Sequence, residues 1–135
     1  MSDSTQQITQ LLNAAEDTLK FGDNQNHTVA AAVLADDGKV YTGLNLFHFT
    51  GGPCAEIAAL TAAISAGNNH LIKIVAVGNN NRGVLAPCGR CRQVLFDYYP
   101  NMDVVVGKNQ DLVLVPIRDL LPETYDWNKQ QEATE

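Results

Sequence analysis

The fold of this chain of 135 residues is decided by one stretch, Gly51-Gly-Pro-Cys-Ala-Glu-Ile-Ala-Ala-Leu-Thr-Ala-Ala-Ile-Ser-Ala-Gly67. The stretch is rich in alanine, has proline near its start and closes with glycine, which is the pattern of a buried helix. A second helix is predicted from Cys88 and must stop before Pro100. Between the two helices, Leu71 to Val77 is predicted to be a buried strand.

The segments before and after this pair of helices complete an α/β domain. Apolar residues recur at helical spacing behind Ser4 and Thr5, and Gly22 ends that amphipathic helix. Two strands flank the turn sequence Asp36-Asp37-Gly38 and form a hairpin. Two more strands follow the second helix of the core. The predicted strands outside the core pair are Val29 to Leu34, Val40 to Leu44, Val104 to Val106 and Leu112 to Val115.

This order of elements predicts a three-layer α-β-α sandwich with a mixed five-stranded sheet. Residues 1–135 are expected to form a single catalytic domain, of which 128–135 are predicted to be a loose tail. The net charge is -6, which argues against a nucleic-acid partner because phosphate backbones require a basic face. No stretch approaches the roughly 20 apolar residues of a membrane span. We therefore expect a cytoplasmic protein with a small-molecule substrate, whose cysteines stay reduced.

The chemistry is predicted by Cys54, Cys88 and Cys91, which are all the cysteines of the chain, and by Glu56. A Cys-x-x-C pair alone is equally typical of a redox pair, half of a structural zinc site or two buried thiols. Catalytic Zn²⁺ takes three protein ligands and leaves its fourth position to a water, whose pKa it lowers to roughly 7. The pairing of Cys-x-Glu with Pro-Cys-x-x-Cys is the signature of zinc deaminases. We therefore predict one Zn²⁺ per chain, held by the three thiolates.

All three thiols are predicted to lie at helix starts, where the helix dipole favours their ionisation. Three thiolates on one Zn²⁺ leave a negative charge that a nearby cation must offset. Arg90 and Arg92 are the candidates and Arg90 is favoured, although Arg90 is equally well explained as a solvated side chain. Glu56 is predicted to be the proton carrier of a hydrolytic deamination. The alternative for Glu56 is an acidic residue placed in a helix's first turn only for its dipole.

The sequence resembles the blasticidin-S deaminases of the cytidine deaminase superfamily. The resemblance is carried by Tyr41-Thr-Gly-Leu-Asn45, by residues 48–56, by residues 78–95 and by the ending Ile117-Arg-Asp-Leu-Leu-Pro122. It implies a homotetramer that hydrolyses the cytosine amino group of blasticidin S to a uracil-type carbonyl, releases ammonia and confers antibiotic resistance. It also implies substrate-binding roles for three residues outside the zinc motif, namely Thr28, Arg82 and Tyr125.

Two other functions stay open from the sequence. A general cytidine or deoxycytidine deaminase is the first, but such enzymes usually carry Asn-x-Glu to hold the ribose, whereas this chain has Asn45-Leu46-Phe47. A non-catalytic zinc-binding module is the second, and Glu56 argues against it. Phe47 and Phe49 are expected either to line the pocket or, more often for such alternating aromatics, to lie in the core. His48 fits a role in the pocket and a structural hydrogen bond equally well.

Overall fold

A computed structural model of the chain describes residues 3–133. Two helices and a hairpin form the amino-terminal half, and the segments predicted as the helices of the core fold as such. The elements are α1 (Asp3–Leu19), β1 (Val29–Ala35), β2 (Val40–Leu44), α2 (Ala55–Ser65), β3 (Leu71–Gly78), β4 (Gly83–Val84), α3 (Gly89–Tyr98), β5 (Asp103–Lys108), β6 (Asp111–Pro116), a 3₁₀ turn (Ile117–Leu120) and α4 (Trp127–Ala133).

The strands form one mixed sheet in the order β2-β1-β3-β5-β6. β1 pairs with β2 and with β3 in antiparallel fashion, and β5 pairs with β6 in the same way. β3 and β5 are parallel because α3 crosses between them. The five predicted strands are thus confirmed. The additional strand β4, which pairs with the end of β3, spans two residues and is too short to give a periodic signal.

Helices cover both faces of the sheet, which confirms the three-layer architecture. Leu11 and Ala15 of α1 pack on one face, whereas α2 and α3 pack on the other. β1 alternates between the two layers, since Ala31 and Val33 belong to the α2 layer and Ala30 and Ala32 belong to the α1 layer. A strand that is buried on both faces has no polar side, which explains the unbroken apolar run of β1.

The helix that begins with the first cysteine motif lies unusually close to strand β2. A methyl group added at Gly43 would lie 2.5 Å from the backbone nitrogen of Ala59 and 2.7 Å from the Cβ atom of Ala58. A glycine in the strand and two alanines in the helix therefore let the two backbones approach each other. This contact fixes the position of α2, and with it the position of Cys54 and Glu56.

The prediction of a loose tail at 128–135 was wrong for residues 128–133, which belong to helix α4. Hydrogen bonds fasten the segment to α3: Asn128 Nδ2 donates to the carbonyl of Asp97, and Gln93 Nε2 donates to the carbonyl of Tyr125. These contacts depend on polar side chains, so no hydrophobic periodicity in the sequence predicts them. Residues 134–135 lie outside the described residues. No helix between residues 3 and 133 is long and apolar enough to cross a membrane.

Candidate active site

The three cysteines come together at the starts of helices α2 and α3. Cys54 and Cys88 are the N-cap residues of the two helices, and Cys91 lies in the first turn of α3. Their three Sγ atoms all lie within 4.8 Å of one another, and those of Cys54 and Cys88 are 3.9 Å apart. Tetrahedral zinc with bonds of about 2.3 Å separates two sulfur ligands by about 3.8 Å. The cluster therefore fits Zn²⁺.

The surroundings of the thiols divide them into two kinds. Burial raises the pKa of Cys54, and the neighbouring Cys88 and Glu56 add to the rise. Burial and the charge of Glu56 raise the pKa of Cys91 further still. Burial also opposes ionisation of Cys88, but the backbone N–H groups of Cys91 and Arg90 and its thiol neighbours outweigh burial and lower its pKa. Easy ionisation was therefore predicted correctly for Cys88 and wrongly for the other two.

Glu56 lies in the first turn of α2 with only 6% of its surface exposed. Burial raises the pKa of its carboxyl, and a hydrogen bond from its own backbone N–H partly offsets the rise. A carboxyl group with a raised pKa holds a proton more readily than an exposed carboxyl group does. Glu56 is therefore suited to proton transfer. An exposed acidic residue that only stabilised the helix dipole would lack this property.

Glu56 and two of the cysteines open into one cavity of about 430 Å³. This volume lies within the range of small-molecule sites. The cavity wall is mainly apolar and comes from β1, the loop after β2, the start of α2, the end of β3 and the segment before α3. Its lining residues are Val29, Asn45, Leu46, Phe47, His48, Gly52, Pro53, Cys54, Ala55, Glu56, Ala76, Leu85, Ala86 and Cys88.

The loop after β2 supplies the wall where a ribose-binding glutamate would be expected. Asn45 Oδ1 accepts a hydrogen bond of 3.0 Å from the backbone N–H of Val29, which fixes the amide beside the cavity. Phe47 lines the cavity and is 70% exposed, whereas Phe49 is 91% exposed and lies against the His48 ring. The interpretation of these two aromatics as core residues was therefore wrong. Both residues lie in the loop between β2 and α2, outside the regular elements that form the core.

Two of the predicted substrate-binding residues meet at the ends of β1 and β3. Arg82 Nη2 donates to the carbonyl of Thr28 over 2.7 Å and to Asn79 Oδ1 over 2.9 Å, and Nε donates to the Asn79 carbonyl. The backbone N–H of Asn79 also donates to the Thr28 carbonyl. Arg82 thus ties the start of β1 to the end of β3. Neither Arg82 nor Thr28 is among the described residues that line the cavity.

The remaining candidates lie on the α3 side of the site. Tyr125 is 58% exposed and is not among the described residues that line the cavity. Its carbonyl accepts a hydrogen bond from Gln93 Nε2. Arg92 donates to the carbonyls of Pro87 and Leu120, so its guanidinium braces the segment that enters α3. Arg90 is exposed. The substrate-binding roles of Thr28, Arg82 and Tyr125 stay predictions.

Comparison with known proteins agrees with this geometry. The family described as the cytidine and deoxycytidylate deaminase zinc-binding region matches residues 2–108, which include all three cysteines and Glu56. The chain belongs to this deaminase family. It is 31% identical to a blasticidin-S deaminase of Bacillus cereus, with 92% of this chain and 96% of that protein aligned. It is 38% identical to a cytidine deaminase of Mycobacterium tuberculosis over 72% of this chain and 71% of that one.

A solved structure shows the same deaminase fold. The crystal structure of a cytidine deaminase from Burkholderia pseudomallei superposes with a TM-score of 0.72 at 32% identity, and the match covers 93% of this chain and 100% of the other. The protein is therefore a zinc-binding hydrolytic deaminase of the cytidine deaminase type. The sequence motifs identified the thiols and Glu56, but Val29, Ala76 and Leu85 carry no motif and their place in the cavity required the fold.

Proposed function

We propose that the protein deaminates the cytosine ring of blasticidin S. The observation that carries this proposal is the composition of the cavity wall, where the loop Asn45-Leu46-Phe47-His48 has no carboxylate to accept hydrogen bonds from ribose hydroxyls, and Glu56 is the one carboxylate among the described lining residues. The likeness to a blasticidin-S deaminase, at 31% identity over 92% of the chain, supports the proposal.

The reaction replaces the amino group on C4 of the ring by a carbonyl oxygen from water. Cys54, Cys88 and Cys91 would hold the zinc, which when bound supplies a Lewis acid that acidifies a water molecule. Glu56 takes a proton from the attacking water and delivers it to N3 of the ring, and it later carries a proton to the departing amine. Water and the cytosine compound are consumed, and the uracil-type product and ammonia leave.

Substrate recognition outside the ring is assigned to Thr28, Arg82 and Tyr125. Arg82 has no acidic partner within residues 3–133, where Lys20 and Asp17 form the one ion pair. Its Nη2 and Nε atoms are engaged with Thr28 and Asn79, and Nη1 makes no hydrogen bond within that described range. A guanidinium without a counter-ion in an acidic chain is suited to a carboxylate such as the one on the sugar of blasticidin S.

The second candidate is a cytidine or deoxycytidine deaminase of pyrimidine salvage. It is favoured by the 38% identity to the M. tuberculosis cytidine deaminase and by the superposition on the B. pseudomallei cytidine deaminase. Asn45 is compatible with both substrates, since it lines the cavity in either case. The absence of a carboxylate beside Asn45 is what distinguishes the two proposals.

The decisive experiment offers blasticidin S and cytidine side by side to the purified protein and follows the loss of cytosine absorbance. Buried polar groups left unpaired cost about 1 to 3 kcal/mol each, so kcat/KM should favour blasticidin S by roughly a hundredfold or more. Elemental analysis should find one zinc per chain. Comparable kcat/KM values, or a preference for cytidine, would establish the salvage enzyme instead.

Three further properties complete the proposal. The protein is a cytoplasmic homotetramer, and its reaction protects a cell against blasticidin S. Light scattering during gel filtration would measure the mass of the assembly, for which four chains of 14.6 kDa are expected. Expression in a sensitive bacterium should raise the blasticidin S concentration that stops growth, and the Glu56→Gln variant should not. A monomer, or equal growth with the two proteins, would contradict these statements.

A further inference from the structure

The loop of residues 46–53 is a closed unit at the mouth of the cavity. Its ends are joined by a hydrogen bond from the backbone N–H of Leu46 to the carbonyl of Pro53, and Gly51 N–H donates to the carbonyl of His48 within the loop. A methyl group added at Gly52 would lie 1.5 Å from the Leu46 carbonyl oxygen, so the loop closes on itself without space to spare. His48 lines the cavity that Glu56 also lines.

Local contacts fix the proton of the His48 ring. The backbone N–H of Thr50 donates to His48 Nδ1 over 3.1 Å, and the hydroxyl of Thr50 contacts the same nitrogen. A backbone N–H can only donate, so Nδ1 is the acceptor and the neutral ring carries its hydrogen on Nε2. The Phe49 ring, with its centroid 4.5 Å from that of His48, packs beside the imidazole. The Nε2–H group is therefore on the edge of the ring that makes no hydrogen bond among the described residues, in a residue that lines the cavity.

The same wall carries a second N–H group, in the amide of Asn45. Asn45 Oδ1 is occupied by the backbone N–H of Val29, whereas Asn45 Nδ2 makes no hydrogen bond among the described residues. Phe47, which comes between Asn45 and His48 in the loop, offers only an apolar ring. Two N–H groups that make no hydrogen bond among the described residues are complementary to a ligand that presents acceptors.

We propose that His48 is a specificity-determining residue, whose Nε2–H donates to an oxygen acceptor on the group attached to N1 of the cytosine ring. This inference rests on the proposed deaminase function. It identifies which substituent on the cytosine ring the loop of residues 46–53 selects. A carboxylate is the strongest acceptor of this kind, because hydrogen bonds to charged oxygens are shorter and stronger than neutral ones. His48 thus adds a contact separate from that of Arg82.

Two substitutions separate the two nitrogens of the ring. Asparagine at position 48 places its amide oxygen near the position of Nδ1, so it keeps an acceptor for the Thr50 N–H and lacks a donor at Nε2. Glutamine places its amide nitrogen near the position of Nε2 and restores the donor. The variants His48→Asn and His48→Gln are therefore matched, and both are compared with the wild-type protein at equal zinc content.

Three compounds are measured with each protein: blasticidin S and cytidine as substrates, and 1-methylcytosine, which has no oxygen on its N1 substituent, as a competitive inhibitor. His48→Asn is expected to raise KM for blasticidin S roughly ten- to a hundredfold, as expected for the loss of a hydrogen bond to a charged group. The value of kcat should change by less than about threefold, because the contact lies away from C4. The inhibition constant of 1-methylcytosine should stay the same, and His48→Gln should recover most of the lost affinity.

An unchanged KM in His48→Asn would overturn the proposal, as would equal losses in His48→Asn and His48→Gln. A parallel loss of 1-methylcytosine binding would also overturn it, since His48 would then support only the shape of the loop. If the wild-type protein prefers cytidine, the proposed substrate is wrong. The role of His48 is then judged in the same way from KM for cytidine, whose ribose oxygens are the acceptors.

Discussion

The contact between helix α2 and strand β2 allows a quantitative prediction about the site. In the Gly43→Ala variant the new methyl group would lie 2.5 Å from the backbone nitrogen of Ala59, where ordinary contacts begin at 3.4 Å. The obstructing atoms belong to a helix backbone, so no side-chain rotation can relieve the overlap. The helix must retreat by roughly 0.9 Å, and overpacking of this kind typically costs about 1 to 3 kcal/mol.

The same displacement moves Cys54 and Glu56, which stand at the start of α2. A misplacement of about 1 Å can reduce the rate of an enzyme roughly a hundredfold. We therefore expect Gly43→Ala to lower the melting temperature by roughly 5 to 12 °C and to reduce kcat strongly. Circular dichroism and the absorbance assay measure the two effects on the same preparation.

Gly107→Ala is the matched control. Gly107 also lies in a strand, but a methyl group added there meets nothing within 4 Å. The control should therefore melt within a few degrees of the wild-type protein and retain its activity. If Gly43→Ala were as stable and as active as Gly107→Ala, the close approach of the two backbones would not position the site.

Substitutions in the site itself give two further expectations. Glu56→Gln should keep its fold and zinc and lose nearly all turnover, because an amide of almost the same shape cannot carry protons; a substantial residual rate would exclude Glu56 as the proton carrier. Arg82→Ala should weaken the binding of blasticidin S more than the binding of cytidine. The substitution should also lower the free energy of unfolding by about 1 to 3 kcal/mol, because Asn79 Oδ1 loses its hydrogen-bond donor. Equal loss for both substrates with lower stability would make Arg82 a purely structural residue.

The sequence predicted those parts of the molecule whose signals are local. The alanine-rich stretch that ends at Gly67 and the turn at Asp36-Asp37-Gly38 each contain their own pattern, and both were confirmed. The motif of Cys88 and Cys91 is equally local, since three residues of spacing place both on one helical face. These features require no knowledge of what lies across the sheet.

The features that the sequence did not predict depend on contacts between distant segments. The side chain of Asn79 accepts a hydrogen bond from Arg82 and donates one to the carbonyl of Asn24. Asn79 and Asn24 are 55 positions apart in the sequence. The His27 ring hydrogen-bonds to the carbonyl of Asn45 over 2.8 Å and supports the cavity wall from the opposite loop. Hydrogen bonds of this kind between distant segments follow neither a hydrophobic periodicity nor a fixed sequence spacing. The ionisation of Cys54 and Cys91 was mispredicted for the same reason, because burial is set by the packed neighbours.

The opposed surroundings of the thiols lead to a prediction about metal binding. Burial and neighbouring groups raise the pKa of Cys54 and Cys91, so both are protonated near neutral pH in the metal-free protein. Zinc binds thiolates, and its binding must therefore displace both protons, whereas Cys88, with its lowered pKa, contributes a smaller share. Calorimetry at pH 7 in two buffers of different ionisation enthalpy should report about two to three protons released per zinc. Because zinc binding displaces these protons, the affinity for zinc rises with pH as long as the thiols remain protonated. Release of less than about one proton would show that the buried thiols are already ionised, and burial would then not control the site.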